Sequence, residues 1–248
     1  VLAPNLAPYG SEQRIRAEAQ QAPSWNHLLG TDEDGGDILS RIIWGARIDL
    51  AISLIVVLSA CLIGSVLGSL SGFLGGRIDE VVMRITDIFL AFPGIILALA
   101  IAAALGPSTW NSVLALAPVW WPWYTRLARG ETLSVREKQY TESARMVGVS
   151  DFRLLFRHIL PNCLSPVIVN ASMDMGFVIL TAAGLSFIGL GAQPPMPEWG
   201  AMLSLGRGYL REAWWVATFP GLAILITVLG FNLLGDGLRD ILDPKLRR

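Results

Sequence analysis

The residue best placed to do chemistry in this sequence is Asp174, because it stands in an apolar run, 161–190, with Asn170 and Ser172 as its polar company. A carboxylate at bilayer depth costs about 2.5–3.5 kcal/mol on insertion scales, so Asp174 must face a bundle interior or a water-filled cavity. Two roles stay open. With Asn170 it lines a polar path, or it makes a buried structural hydrogen bond. Other chemistries find no footing. Asp32 and Asp34 in GTDEDGGDILSR have the spacing of the first calcium-loop ligands, but Gly36 stands where the third ligand belongs and Ile43 where the bidentate Glu belongs. That stretch reads as a surface turn followed by an interfacial helix. His27 and His158 fall on opposite sides of the predicted membrane, and Cys61 and Cys163 sit in or beside apolar segments with neither metal spacing nor a disulfide framework. The lysines Lys138 and Lys245 follow Glu137 and Pro244, so neither belongs to a phosphate-cradling Gly-Lys-Ser/Thr loop. A Gly-x-Ser-x-Gly elbow and a His-Glu-x-x-His helix are also missing from the sequence. The expectation is a chain with no catalytic residue, metal or cofactor of its own, whose energy source lies in another protein.

A second group of residues is arranged for contact. The stretch 140–161, YTESARMVGVSDFRLLFRHILP, is a charged island in a very apolar sequence. It reads as two short helices. One ends near Val147 with Gly148 in the left-handed C-cap position; the other starts after Ser150 as N-cap, with Asp151 in its first turn, and stops at Pro161. On the first, Tyr140, Ala144 and Val147 share a face that excludes Glu142 and Arg145. On the second, Phe152, Leu155, Phe156 and Ile159 follow helical spacing, with Arg153 and Arg157 off the stripe. Helices this short are marginal alone and need a surface to lie on. A small-residue helix between membrane segments suits a groove in another protein; the alternative is an amphipathic linker without a partner.

The elements that must position these residues are membrane helices. Hydrophobic residues make up 53% of the 248 and charged residues 16%, and the mean hydropathy is +0.52, well to the apolar side of a soluble domain with roughly 25% charge. The fold class is all-α and polytopic. Lys+Arg 19 against Asp+Glu 20 gives no bias toward nucleic acid. Residues 1–47 are polar and poorly periodic, whereas 50–76 carries no charge and is long enough to cross a bilayer. Gly64, Gly68 and Gly72 clear one face of that helix for a close neighbour, in this chain or in another subunit. A second span starts near Val81, where Arg84 and Asp87 are spaced for a helical ion pair, and Pro93-Gly94 bends it. Gly106-Pro107-Ser108 then divides the uncharged run, so a third span ends in the belt of Trp120, Trp121, Trp123 and Tyr124. The fourth covers 161–190, and the last leads from Trp214 and Trp215 to Gly235. Arg126, Arg129, Arg136, Lys138, Arg145, Arg153 and Arg157 put the loop 126–161 in the cytoplasm, together with a tail at 241–248 carrying Lys245, Arg247 and Arg248. The segment 1–47 and the loop 191–212 are then external. The transmembrane domain, 48–240, thus holds five spans. Because the chain begins outside on a polar segment, a preceding helix is expected, making six in the intact protein.

These residues also resemble a known pattern. Glu142-Ser143-Ala144, then Gly148, then Leu160-Pro161 are similar to the EAA loop of ABC-importer permeases, the cytoplasmic helix that plugs into the ATP-binding subunit. Ser143 stands where the second Ala is usual and His158 where an aliphatic residue is common; a half-exposed helix tolerates both. Five blocks, GTDEDGGDILSR, MRITDIFLAFPG, FRHILPN, LSFIGLGAQPP and FNLLGDGLRDILDP, narrow the resemblance to the C-type permease of the peptide/nickel class, from about Gly30 onward. The resemblance implies a type I ABC importer permease fold with cytoplasmic coupling helices, in the bacterial inner membrane. It implies coupling through Tyr140, Glu142, Ser143, Ala144, Arg145, Gly148 and Asp151. The implied partners are a homologous B-type permease, two ATP-binding subunits that hold the ATP and magnesium, an extracytoplasmic substrate-binding protein and the lipid bilayer. The implied solutes are di- or oligopeptides, with nickel chelates or glutathione-like molecules as the alternative. Gly36 departs from the usual Arg and Ala182 from the Glu of many relatives, which removes two charges that could hold a peptide terminus. On the residues alone the rival is a secondary transporter or membrane enzyme, which would be expected to show repeats of broken helices and several intramembrane ionisable groups.

Overall fold

The computed structural model describes residues 3–242, so the expected tail lies outside the described residues from position 243 on. Helix α1 (Ile38–Leu74) starts well before the uncharged run at Leu50. The end of the expected polar segment is therefore helical. The reason is local: the Asp37 carboxylate caps the helix, accepting the Ser40 N–H at 2.8 Å and its hydroxyl at 2.6 Å. Arg41, which would otherwise be an unpaired buried cation in the first turn, meets Asp32 at 3.2 Å. Asp32 also accepts the N–H groups of Asp34 and Gly36, and Asp34 pairs with Arg14. The carboxylates with calcium-loop spacing are thus spent on organising the segment that precedes α1.

Helices α2 (Gly76–Leu90) and α3 (Gly94–Leu105) meet at 83°. Pro93 cannot donate to the helix before it, and its carbonyl instead starts α3 by accepting from Ile96 and Leu97. The expected Arg84–Asp87 pair is not made. Arg84 reaches Glu80 one turn back at 3.5 Å, while Asp87 turns to Arg126 of α4 (Thr109–Arg136) at 2.6 Å. A second α2–α4 tie is bidentate, Arg129 Nε and Nη2 each donating to Asp79 at 2.6 Å.

The other helices of eight residues or more are α5 (Gln139–Met146), α6 (Asp151–Phe187), α7 (Trp199–Gly206) and α8 (Trp215–Leu242). Among the described residues α1, α6 and α8 are long and apolar enough to cross a membrane, and the bent α2–α3 pair would make a fourth. Helix α4, expected as a span, does not meet that measure; Pro118 and Pro122 interrupt its first half, and Arg126, Arg129, Glu131 and Arg136 charge its second. The chain divides into two compact units, one built on Ala98–Ala115 and Met175–Gly230 with the chain up to Ile55, the other on Val56–Leu97 and Leu116–Asp174 with the chain from Phe231.

Candidate coupling hairpin and polar path

The second unit contains the charged hairpin. Thr141 in α5 is fully buried and its hydroxyl donates to the Val135 carbonyl at 2.9 Å. Gly148, at φ +79°, reverses the chain, so that Gly148 N–H donates to Arg145 and Val149 N–H returns to Ala144. Beneath lies a core of Phe73, Val135, Leu154, Leu155, Ile159 and Cys163, onto which Ala144 and Val149 pack. All six are buried, and three of them, Leu154, Leu155 and Ile159, come from the hairpin stretch itself, each worth about 1.5–3 kcal/mol, so they fix it to the rest of the unit. Arg145, although exposed, lies 5.6 Å over the Phe73 ring.

Two expectations change here. The face expected from Tyr140, Ala144 and Val147 is split, because the Gly148 turn folds Val149 back over Ala144 and draws Ala144 inward, leaving Tyr140 and Val147 outside. The second helix does not stop at Pro161. Residues Leu154–Ile159 form a wide π turn, in which Leu160 N–H reaches back five residues to Leu155, and this gives Pro161 room inside a continuous α6. The same turn shifts the register: Leu154, Leu155 and Ile159 face in, while Phe152 and Phe156 face out with ring centroids 4.7 Å apart. Ser150 takes the N-cap position, but its side chain caps nothing. What the hairpin offers outward is an apolar tip of Met146, Val147 and Phe152, 89%, 79% and 74% exposed. Glu142, Ser143 and Asp151 are exposed around it.

In the same unit α1 and α4 touch backbone to backbone. A Cβ added at Gly64, Gly68 or Gly72 would meet the carbonyl of Trp121, Thr125 or Arg129 at 2.6, 2.2 or 2.9 Å. That contact brings Tyr124 of α4 against α6, where its hydroxyl donates to the half-buried Asp174 carboxylate. The Trp120 side chain hydrogen-bonds the same carboxylate, and the Cys61 thiol of α1 is bonded to the Tyr124 hydroxyl. Asn170, one turn before Asp174 on α6, is exposed and donates to the Pro166 carbonyl at 2.8 Å; Ser172 donates to Ile168 at 3.0 Å.

In the first unit the structure contains a carboxyl pair that sequence reading did not single out. Glu198 is fully buried and caps α7, accepting from Gly200 at 3.0 Å and Ala201 at 2.7 Å. The buried Asp49 of α1 accepts from Trp199 N–H at 3.2 Å and hydrogen-bonds Glu198. Burial pushes the Glu198 carboxyl above the usual carboxylate range. The available signal was Glu198 placed one residue before a helix, a position that invites capping.

The chain matches, over residues 64–248, the family model described as the binding-protein-dependent transport system inner membrane component. It is 54% identical over 223 residues to the probable D,D-dipeptide transport system permease protein DdpC of Escherichia coli (strain K12), covering 90% of this chain and 75% of that protein. It is 46% identical over 247 residues to the dipeptide transport system permease protein DppC of Alkalihalophilus pseudofirmus, covering 100% and 81%. To the glutathione transport system permease protein GsiD of Pectobacterium atrosepticum it is 51% identical over 243 residues, covering 98% and 81%. Among solved structures, a chain of the inward-facing MetNI methionine ABC transporter aligns with a TM-score of 0.68 at 17% identity, over 83% of this chain and 98% of that one. At such identity the likeness is one of fold.

Proposed function

The chain belongs to the family of inner membrane components of binding-protein-dependent transport systems, and on that premise we propose that it is a permease subunit of an ATP-driven importer of peptides. The relatives named for dipeptides support the solute class; the 51% identity to a glutathione permease supports glutathione-like solutes as the second reading. In this reading α4 joins the four candidate spans to give five. The subunit pairs with a homologous permease, receives solute from an external binding protein and carries no nucleotide itself. Two ATP-binding subunits supply the energy.

The observation that carries the coupling role is the hairpin's apolar tip. Three side chains each more than 70% exposed, Met146, Val147 and Phe152, stand on a fold that already buries its own apolar residues beneath them. Such a knob on a rigid base fits the groove of an ATP-binding subunit, with Glu142 and Asp151 near the rim. Tyr140, Ser143 and Gly148 shape the approach, whereas Ala144, packed on the core, and Arg145, over the Phe73 ring, anchor α5. Asn170 and Asp174 belong to the polar path.

The test is Met146→Glu combined with Phe152→Glu in the reconstituted transporter. The double variant should insert and pair with the partner permease, yet lose substrate-stimulated ATP hydrolysis. Full coupled transport by it would remove the hairpin from the coupling role.

A further inference from the structure

Asp174 is the one acid of the 161–190 apolar run, and among the described residues its hydrogen-bond donors are neutral. Tyr124 and the Trp120 side chain hydrogen-bond it; neither brings a positive charge. Tyr124 is itself braced from the other side by Cys61, and its ring is buried to 1% exposure against the α1–α4 contact. The carboxyl group is thus oriented by two buried side chains. Among the described residues no Lys, Arg or His forms a salt bridge with it. A carboxyl group oriented by neutral donors and paired with no cation, half-buried in an apolar run, is a polar end that an ammonium group can complete.

We propose that Asp174, positioned by Tyr124 and Trp120, is the counter-charge that receives the primary ammonium group of a solute in passage. This rests on the reading of Asn170 and Asp174 as lining the path. The site is selective in sign: a solute end bearing a carboxylate is repelled, one bearing an ammonium is drawn in. Because the two donors leave Asp174 nothing to pair with permanently, the contact is made and lost within one passage. Tyr124 and Trp120 act as positioning residues.

The test uses charged thiol reagents in the assembled transporter, with Cys61 and Cys163 replaced by Ser and Asn170→Cys introduced one turn from Asp174. The cationic probe is 2-aminoethyl methanethiosulfonate and the anionic one its sulfonatoethyl analogue, each rate being divided by that for a free thiol. At a separation of about 6 Å and an intermediate dielectric, the Asp174 charge should favour the cationic reagent by about tenfold or more. Asp174→Asn should bring the ratio near one, and Asp174→Glu should retain the preference. Reaction with neither reagent would overturn the path reading itself. Reaction with both, at a ratio that Asp174→Asn leaves unchanged, would overturn the ammonium role while the path reading stands. A ratio that follows the carboxylate must also appear in transport: after correction for capture by the binding protein, Asp174→Asn should erase the preference for a free-amine dipeptide over its des-amino analogue. A preference that persists in that variant refutes the proposal.

Discussion

His27 offers a perturbation whose size follows from hydrogen-bond counting. Its Nδ1 lies 3.0 Å from Asp37 and its Nε2 3.2 Å from Glu18. Both partners are carboxylates, so both ring nitrogens must donate, and only the imidazolium has two N–H groups. Burial opposes that charge, but the bonds to Asp37 and Glu18 outweigh it and hold the pKa above the ordinary imidazole value. A raised folded pKa means that the stability His27 supplies is fully present below the unfolded value and is lost as pH rises through the folded one. His27→Gln keeps one donor and removes the charge. Glu18, with a side chain 36% exposed, regains water; Asp37, at 3%, does not. The loss is then chiefly one charged hydrogen bond to a buried acceptor, about 2 kcal/mol. Asp37 also caps α1, so the opening involves the whole segment 15–37 that Gln20, Thr31 and Gly30 close with backbone bonds. In hydrogen exchange, protection of those amides should fall about thirtyfold at pH 6. After correction for the intrinsic rate, wild-type protection should decline at alkaline pH and that of the variant should stay flat. Unchanged protection in His27→Gln, or wild-type protection that improves with pH, would refute the reasoning.

The Asp49–Glu198 pair predicts a similar pH sign with a different remedy. Asp49→Asn offers the buried Glu198 an N–H, so it should match wild type within about 1 kcal/mol at pH 6 and exceed it at pH 8.5, whereas Asp49→Ala leaves Trp199 N–H unpaired and costs about 1–3 kcal/mol; thermal unfolding of the purified transporter checks both. Gly68→Val puts a branched side chain where a Cβ already meets the Thr125 carbonyl at 2.2 Å, a cost of about 3 kcal/mol, while Gly230→Ala, with open space around it, should express normally. Gly148→Val should cost about 1–3 kcal/mol in hairpin order at φ +79° and depress substrate-stimulated ATP hydrolysis, with Gly148→Asn much milder and Ser143→Ala near neutral.

What could be read from sequence was what depends on spacing along one helix. The four-residue repeat of Gly64, Gly68 and Gly72 marks a side-chain-free face, and that face is where the carbonyls of α4 arrive. Gly148 marks a reversal because a glycine between two helical stretches takes the positive φ of a helix C-cap without strain. What could not be read depends on partners far away in the chain. The charges at Arg41 and Asp49 hid the true start of α1, since a charge reads as an interruption until Asp32 and the α7 N-terminus, 150 residues distant in the Asp49–Trp199 case, are seen to meet them. Likewise Asp87 left Arg84 for Arg126 because only the fold brings α4 alongside. The π turn was invisible because Pro161 is a reliable stop signal only when the preceding turn keeps its ordinary width.

The glycine contact between α1 and α4 works like a splined shaft. Its notches recur every four residues, about 6 Å along the helix, so α4 can sit in register or a full notch away but cannot creep between, where Ser65 or Ser69 would meet a carbonyl. Such a pair resists sliding along its length. Arg136 pins one end of it by donating to the carbonyls of Gly72 and Phe73 at 3.4 and 3.3 Å. The hairpin, which begins just beyond Arg136, is therefore joined to a helix pair keyed in register from Gly64 to Gly72.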